Sequence, residues 1–262
     1  MNSSYVIANG LKTHYIETRG ANTATPLIIL HGWGIGVDSW KNIASFLEER
    51  GRSVFIPDLP GFGETPEPQG AWGANEYADF VRSFCEVLGL EQFSLAGHSF
   101  GGQIAITFAA RYGQKLRGLV LISAARIVTH KKLRVRIFRI LTKFGNLIFA
   151  IPVLSPFQPV VRKIWYKLAG EKDYYRASPH MRKIMAQVQE EVGPRLSEIQ
   201  TPTLILWGED DHVTPVADAR IIHSRILHSK LRIFQGVGHP IHIEKPKELA
   251  EEIIEFIDTM RS

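Results

Sequence analysis

Six short apolar runs rich in Val, Ile and Leu punctuate the chain, and they constrain its fold more than any other feature. They are PLIILHG (26–32), SVFIPDL (53–59), FSLAG (93–97), LRGLVLIS (116–123), TPTLILWG (201–208) and KLRIFQG (230–236). Near-continuous apolar strands of this kind suit a parallel sheet covered on both faces. Helices are expected between them: about Ser39 to Arg50 with Asp38 as N-cap, then Asn75–Leu88, Phe100–Arg111, Pro215–Arg225 and Pro246–Met260. Strands alternating with helices imply βαβ units and a doubly wound α/β fold with a mostly parallel sheet. The opening YVIANGLKTHYIETRG reads as two strands around an Asn-Gly turn, an antiparallel hairpin at the sheet edge.

The alternation breaks after LISAA. From Arg126 to Val192 no strand of the same character occurs, only helical patterning cut by Pro152, Pro156, Pro159, Gly170 and Pro179. The rhythm resumes at Thr201. The expected organisation is therefore a core formed by residues 1–125 and 193–262, with a helical lid, residues 126–192, inserted after the sixth strand. This segment also concentrates the charge. It holds 14 Lys and Arg against 4 Asp and Glu, while the rest of the chain has 17 basic and 22 acidic residues. The formal charge of +5 thus belongs to one segment, and a nucleic-acid-binding role for the whole chain is not indicated.

A chain of 262 residues, 45% of them apolar and 22% charged, can bury a substantial core. One cysteine, Cys85, excludes an intramolecular disulfide; flanked by Phe80, Val81, Phe84 and Leu88, it reads as a small buried apolar residue. The N-terminal stretch lacks the basic and apolar regions of a secretion signal, and no uncharged apolar run reaches the roughly 18–20 residues that span a bilayer. The expectation is a cytoplasmic protein.

Within FSLAGHSFGGQIAI (93–106), Ser99 lies between glycines where a strand should end and a helix begin. Such a turn presents a nucleophilic hydroxyl at the carboxyl edge of the sheet, and Gly97, Gly101 and Gly102 leave room for chain passing close by. The pentapeptide alone fits an inert tight turn equally well. A serine needs a base, and the base an orienting acid, here in the order Ser, Asp or Glu, His. LILWGEDDHVTP places Asp210 and Asp211 just beyond one strand, and LRIFQGVGHPIH places His239 beyond the last. Groups at the carboxyl ends of parallel strands can converge although distant in sequence. An oxyanion site is also outlined: the backbone N–H of Phe100, after the serine, and that of Trp33 in the glycine-flanked turn LILHGWG. His31 is expected to support that turn, His98 to point away from substrate, and Asp58 to anchor a loop. His242 is a weaker alternative base. No cluster has metal-ligand spacing, and no cofactor is implied.

The segments HGWG, DLPGFGET (58–65), GHSFGG, WGEDDHVTP and GHPIHIEKP occur in an order that resembles serine hydrolases of the α/β-hydrolase superfamily, from about Leu27 to Phe256. The resemblance implies the α/β-hydrolase fold and puts the acid on Asp211, with Asp210 the alternative. Relatives more often carry an aromatic residue directly after the histidine, where this chain has Pro240. Dehalogenases and epoxide hydrolases of the superfamily carry aspartate at the nucleophile position, so Ser99 implies acyl transfer to water. Carboxylic esters, small or acyl-chain, are the expected substrates. Carbon–carbon bond hydrolysis by the same three residues is one alternative, and a non-catalytic ligand-binding relative another. In KKLRVRIFRILTKFGNLIF, Leu133, Ile137, Ile140, Leu141, Phe144, Leu147 and Ile148 form an apolar stripe beside a basic one of Lys132, Arg136, Arg139 and Lys143. The apolar stripe is expected to cover the catalytic mouth. The basic stripe is either solvated or recruits a membrane surface or an acidic carrier protein; pimeloyl-acyl carrier protein methyl ester esterases, which this chain resembles in HGWG and DLPGFG, use basic lid residues to hold the carrier.

Overall fold

The computed structural model describes residues 1–20, 25–125, 127 and 177–261. The two lid stripes between residues 132 and 148 lie outside the described residues, as does most of the expected lid. Among the described residues, eight strands form one sheet: β1 (Asn2–Ala8), β2 (Leu11–Thr18), β3 (Leu27–Leu30), β4 (Val54–Pro57), β5 (Phe93–His98), β6 (Leu116–Ile122), β7 (Thr203–Gly208) and β8 (Ser229–Phe234). Their order is β1-β2-β4-β3-β5-β6-β7-β8. β1 and β2 pair antiparallel, β2 pairs antiparallel with β4, and the remaining ladders are parallel.

Local chemistry accounts for these elements. Asn9 and Gly10 both take positive φ, 47° and 76°, as a two-residue turn matching strand twist requires. β3, β4, β5 and β7 are buried at every position because both faces of the sheet are covered. The period of two then splits the side chains between two cores. Ile28, Leu30, Leu95, Leu119, Leu121, Ile205 and Trp207 fall in one, and Leu27, Ile29, Ala96, Val120, Ile122, Leu204 and Leu206 in the other. The first is completed by helices α2 (Ala74–Val87), α3 (Phe100–Tyr112) and α5 (Val216–Arg225). The second is completed by α1 (Lys41–Glu49) and α6 (Pro246–Asp258). Each fully buried Leu or Ile contributes about 1.5–3 kcal/mol relative to exposure, so both layers are needed to hold the sheet.

Two expectations change in detail. Asp38 does not cap α1; it sits in a 3-10 turn, Val37–Trp40, and pairs with Lys41 at 2.6 Å, while α1 starts later at Lys41. KLRIFQG reads as a buried strand, yet β8 alternates between half-buried and exposed residues, with only Phe234 buried, because it lies at the sheet edge. Within the expected lid, α4 (Pro179–Gln187) is capped by Ser178, whose Oγ accepts the Met181 N–H at 3.0 Å, and Met181, Ile184, Val188 and Val192 join the first core. Cys85 is buried, and burial pushes its thiol far above the ordinary range. Among the described residues, no helix is long and apolar enough to cross a membrane.

Candidate active site

The parallel register sets the site. Gly97 pairs with Leu121, Ile122 with Leu206, and Gly208 with Phe234, so β5, β6, β7 and β8 end along one edge. Ser99 leaves β5 there with φ 53° and ψ −113°, a backbone region that disfavours L side chains. Its neighbours permit this by lacking side chains. A Cβ on Gly97 would lie 2.3 Å from the Gly101 carbonyl oxygen, and one on Gly101 would lie 2.3 Å from that of Leu30. The turn is held on the β6 side, where the Ser99 N–H donates to Ile122 O at 3.0 Å and the Ala125 N–H to Ser99 O at 2.9 Å. Phe100 opens α3, so its N–H belongs to the first helical turn, which has no partner within the helix.

The two other expected residues meet directly. His239 Nδ1 lies 2.7 Å from Asp211 Oδ2. Asp211 is buried, whereas Asp210 is exposed and contributes its backbone N–H to Val237 O; of the two carboxylates, Asp211 therefore faces the histidine. The Asp211 carboxylate is saturated with donors. Oδ1 accepts the Val213 and Thr214 N–H groups, each at 2.8 Å, and Oδ2 accepts the Thr214 hydroxyl at 2.7 Å. Burial pushes this carboxyl up, but the His239 hydrogen bond and charge, with the Thr214 donors, outweigh it and bring it down to about 2. Asp211 is thus a fixed anion beside an imidazole that retains partial access to solvent.

Close backbone approach brings the histidine turn to the acid. A Cβ on Gly208 would lie 2.3 Å from Gly238 O, so the chain before His239 runs against the end of β7 only because residue 208 is glycine. Glu244 accepts the Gly238 N–H at 3.1 Å and fixes the turn from the other side. His98 links this turn to the serine: it adjoins Ser99, its ring centroid lies 4.8 Å from that of His239, and Nε2 donates to His239 O at 3.1 Å. Burial, then the neighbouring His242 and His239, drives the His98 imidazole well below its ordinary range. His242 is buried and stacked on Trp40 at 4.5 Å, and burial and His239 lower it to about 4. Its ring also lies 4.6 Å from that of His98, so it belongs to the packing between Trp40 and His98.

The turn after β3 packs against the serine. A Cβ on Gly32 would lie 3.3 Å from Ser99 Cβ and 3.0 Å from His98 Nδ1. Trp33 meets Phe100 edge to face at 5.3 Å and Phe62 at 4.9 Å, and Tyr77 meets Phe100 at 5.0 Å. Asp58 anchors the loop as expected: Oδ1 accepts the Val37 N–H and Oδ2 the Glu64 N–H, each at 3.0 Å, while His14 Nδ1 lies 2.7 Å from Oδ2. Thr214, Glu244 and Gln103 also hold the site together, though none of the motifs above assigns them a role. The first had a signal: a hydroxyl residue three after an aspartate is a common turn motif. Gln103 gave none, since its buried amide donates to Val188 O and Glu190 O, 85 and 87 residues away.

Known proteins resemble this chain over most of its length. The sequence profile of the alpha/beta hydrolase family matches residues 27–252, from the first parallel strand into the last helix. The 2-hydroxy-6-oxo-2,4-heptadienoate hydrolase of Pseudomonas putida is 26% identical over 279 residues, covering 96% of this chain and 95% of that protein. Lipase 3 of a Moraxella species is 26% identical over 270 residues, covering 98% of this chain and 85% of the lipase. The crystal structure of a membrane phospholipase A superposes with a TM-score of 0.79 at 28% identity, covering 100% of this chain and 87% of that one. The eight-stranded sheet with helices on both faces is the α/β-hydrolase fold. The chain belongs to the alpha/beta hydrolase family.

Proposed function

We propose that this hydrolase cleaves carboxylic esters of acyl chains through a Ser99–His239–Asp211 triad and an acyl-enzyme. The observation that carries this reading is the buried Asp211 carboxylate, held at about 2 and hydrogen-bonded to His239 at 2.7 Å, on the sheet edge where Ser99 adopts its strained turn. An anion on Nδ1 leaves the lone pair on Nε2, so His239 takes the Ser99 hydroxyl proton as Oγ attacks the ester carbonyl. The Trp33 and Phe100 N–H groups then receive the oxyanion. Collapse expels the alcohol with a proton from His239. Water activated by the same imidazole releases the acid and regenerates Ser99. The side chains of Trp33, Phe62, Tyr77 and Phe100 pack on one another next to Ser99, an apolar cluster that supports an acyl chain as substrate. Similarity to a lipase and a phospholipase supports that substrate class.

A chromogenic butyrate ester tests the assignment. Ser99→Ala should lose about 10⁴-fold or more in kcat, the scale of losing a triad nucleophile, and wild type should release one equivalent of alcohol in a burst. Equal rates in both proteins would remove Ser99 from the mechanism. The likeness to a heptadienoate hydrolase favours a second reading, carbon–carbon bond hydrolysis. A vinylogous diketone offered beside the ester decides between them, because the true substrate class carries the larger kcat/KM.

A further inference from the structure

We propose that His31 is a positioning residue that aims the oxyanion site by holding one peptide plane through an enforced tautomer. The inference rests on the Ser99 reading and adds to it a group that does not touch substrate. His31 is fully buried at the end of β3, and both ring nitrogens are engaged by backbone. The Leu59 N–H donates to Nε2 at 2.9 Å. A backbone N–H can only donate, so Nε2 carries no proton. The proton therefore sits on Nδ1, which lies 2.8 Å from the Gly32 carbonyl oxygen, a group that can only accept. The two contacts together admit one state of the ring: neutral, with hydrogen on Nδ1. Burial also favours the neutral imidazole, against the opposing pull of the Gly32 carbonyl and of Asp58.

The Gly32 carbonyl is not an arbitrary acceptor. It shares a planar peptide with the N–H of Trp33, and the two groups point in opposite directions. Fixing the carbonyl on His31 therefore fixes the direction of the Trp33 N–H. The peptide stands against the nucleophile, since a Cβ on Gly32 would lie 3.3 Å from Ser99 Cβ. Without Cβ, residue 32 has no steric preference strong enough to hold this plane alone. Phe62 packs edge to face on both the His31 and Trp33 rings, at 5.6 and 4.9 Å, and closes the group laterally. The Leu59 N–H belongs to the segment after β4, whose Asp58 also ties down Val37. The oxyanion turn is thereby braced at both ends from one neighbouring loop.

The test separates this role from general structural support. The amide nitrogen of His31→Asn can occupy the Nδ1 position and donate to Gly32, whereas His31→Gln places its amide near Nε2 and loses that bond. His31→Gln should lower kcat for the butyrate ester by about 10²-fold, the scale of a 1 Å misplacement. It should weaken a trifluoromethyl ketone inhibitor by the same factor, with KM nearly unchanged, because oxyanion contacts act in the transition state. His31→Asn should recover most of that loss. Equal losses in the two variants, or wild-type kcat and inhibitor affinity in His31→Gln, would overturn the proposal. Nitrogen NMR of the wild-type imidazole gives a measurement independent of how the variants fold: hydrogen on Nδ1 is expected, and hydrogen on Nε2 refutes the inference. Ser99→Ala, assayed alongside, reports separately on the triad. If that variant keeps full activity, the failure lies in the nucleophile assignment.

Discussion

At the scale of single residues, the site holds strain at the proposed nucleophile. Ser99 sits at φ 53° and ψ −113°, a conformation that costs a non-glycine residue about 1–3 kcal/mol. Glycine adopts it freely but loses more entropy on folding, by roughly 0.5–1 kcal/mol. Ser99→Gly should therefore stabilise the protein by about 1 kcal/mol, raising Tm by about 2–4 °C, while abolishing ester hydrolysis. Scanning calorimetry with an activity assay checks both halves; a lowered Tm would show that the turn is not strained. Stability and activity trade against each other here in one side chain. At this scale the sequence was legible where chemistry leaves few choices. Gly97 and Gly101 announce close backbone contact, and His239 is the histidine that follows the last strand. Asp210 and Asp211 were harder to separate, because burial distinguishes them and adjacent letters do not.

At the scale of elements, the strands could be read because burial on both faces writes itself as unbroken apolar runs. β8 shows the limit: as the edge strand it has one partner and an alternating pattern. Asp38 looks like a cap for α1, yet the chain first makes a 3-10 turn and pairs that carboxylate with Lys41, so the helix starts later. Contacts that join distant segments leave no local trace. Gln103, on α3, donates from one buried amide to Val188 O and Glu190 O at 2.9 and 3.0 Å, tying the helix behind the serine to the segment that leads into the 3-10 turn Gly193–Glu198. Gln103→Leu leaves those carbonyls without this donor, at a cost of about 2 kcal/mol and about 4–8 °C in Tm. Hydrogen exchange should accelerate at residues 188–192 more than in the sheet. Uniform protection across the chain would contradict the clamp.

At the scale of the whole molecule, buried histidines set the response to acid. His98 and His242 are held neutral by burial, the latter at about 4, whereas unfolded imidazole takes a proton near 6.5. Between those values the unfolded chain binds more protons, so stability falls as pH drops from about 6.5 to about 4. Asp211, held at about 2 against 3.8, adds a second loss as pH falls from about 4 through about 2. His242→Phe keeps a ring on Trp40 and removes one of these titrations. Its urea midpoint should decline less than that of wild type between pH 6.5 and 4, and parallel declines would show that His242 does not titrate in this range. At this scale the alternation of strands and helices was enough to reach the two-layered sheet. The charge of residues 126–192 was equally visible, but charge names no partner by itself.

The order of the strands carries one more consequence. Ser99 and the neighbouring N–H groups of Trp33 and Phe100 come from the first 100 residues, whereas His239 follows β8 at the far edge of the sheet. On the proposed assignment, a chain emerging from the ribosome carries its nucleophile, and then the β6 residues that hold the turn, long before the base that would deprotonate it. On that assignment the enzyme is born unarmed, and its last strand is also its safety catch.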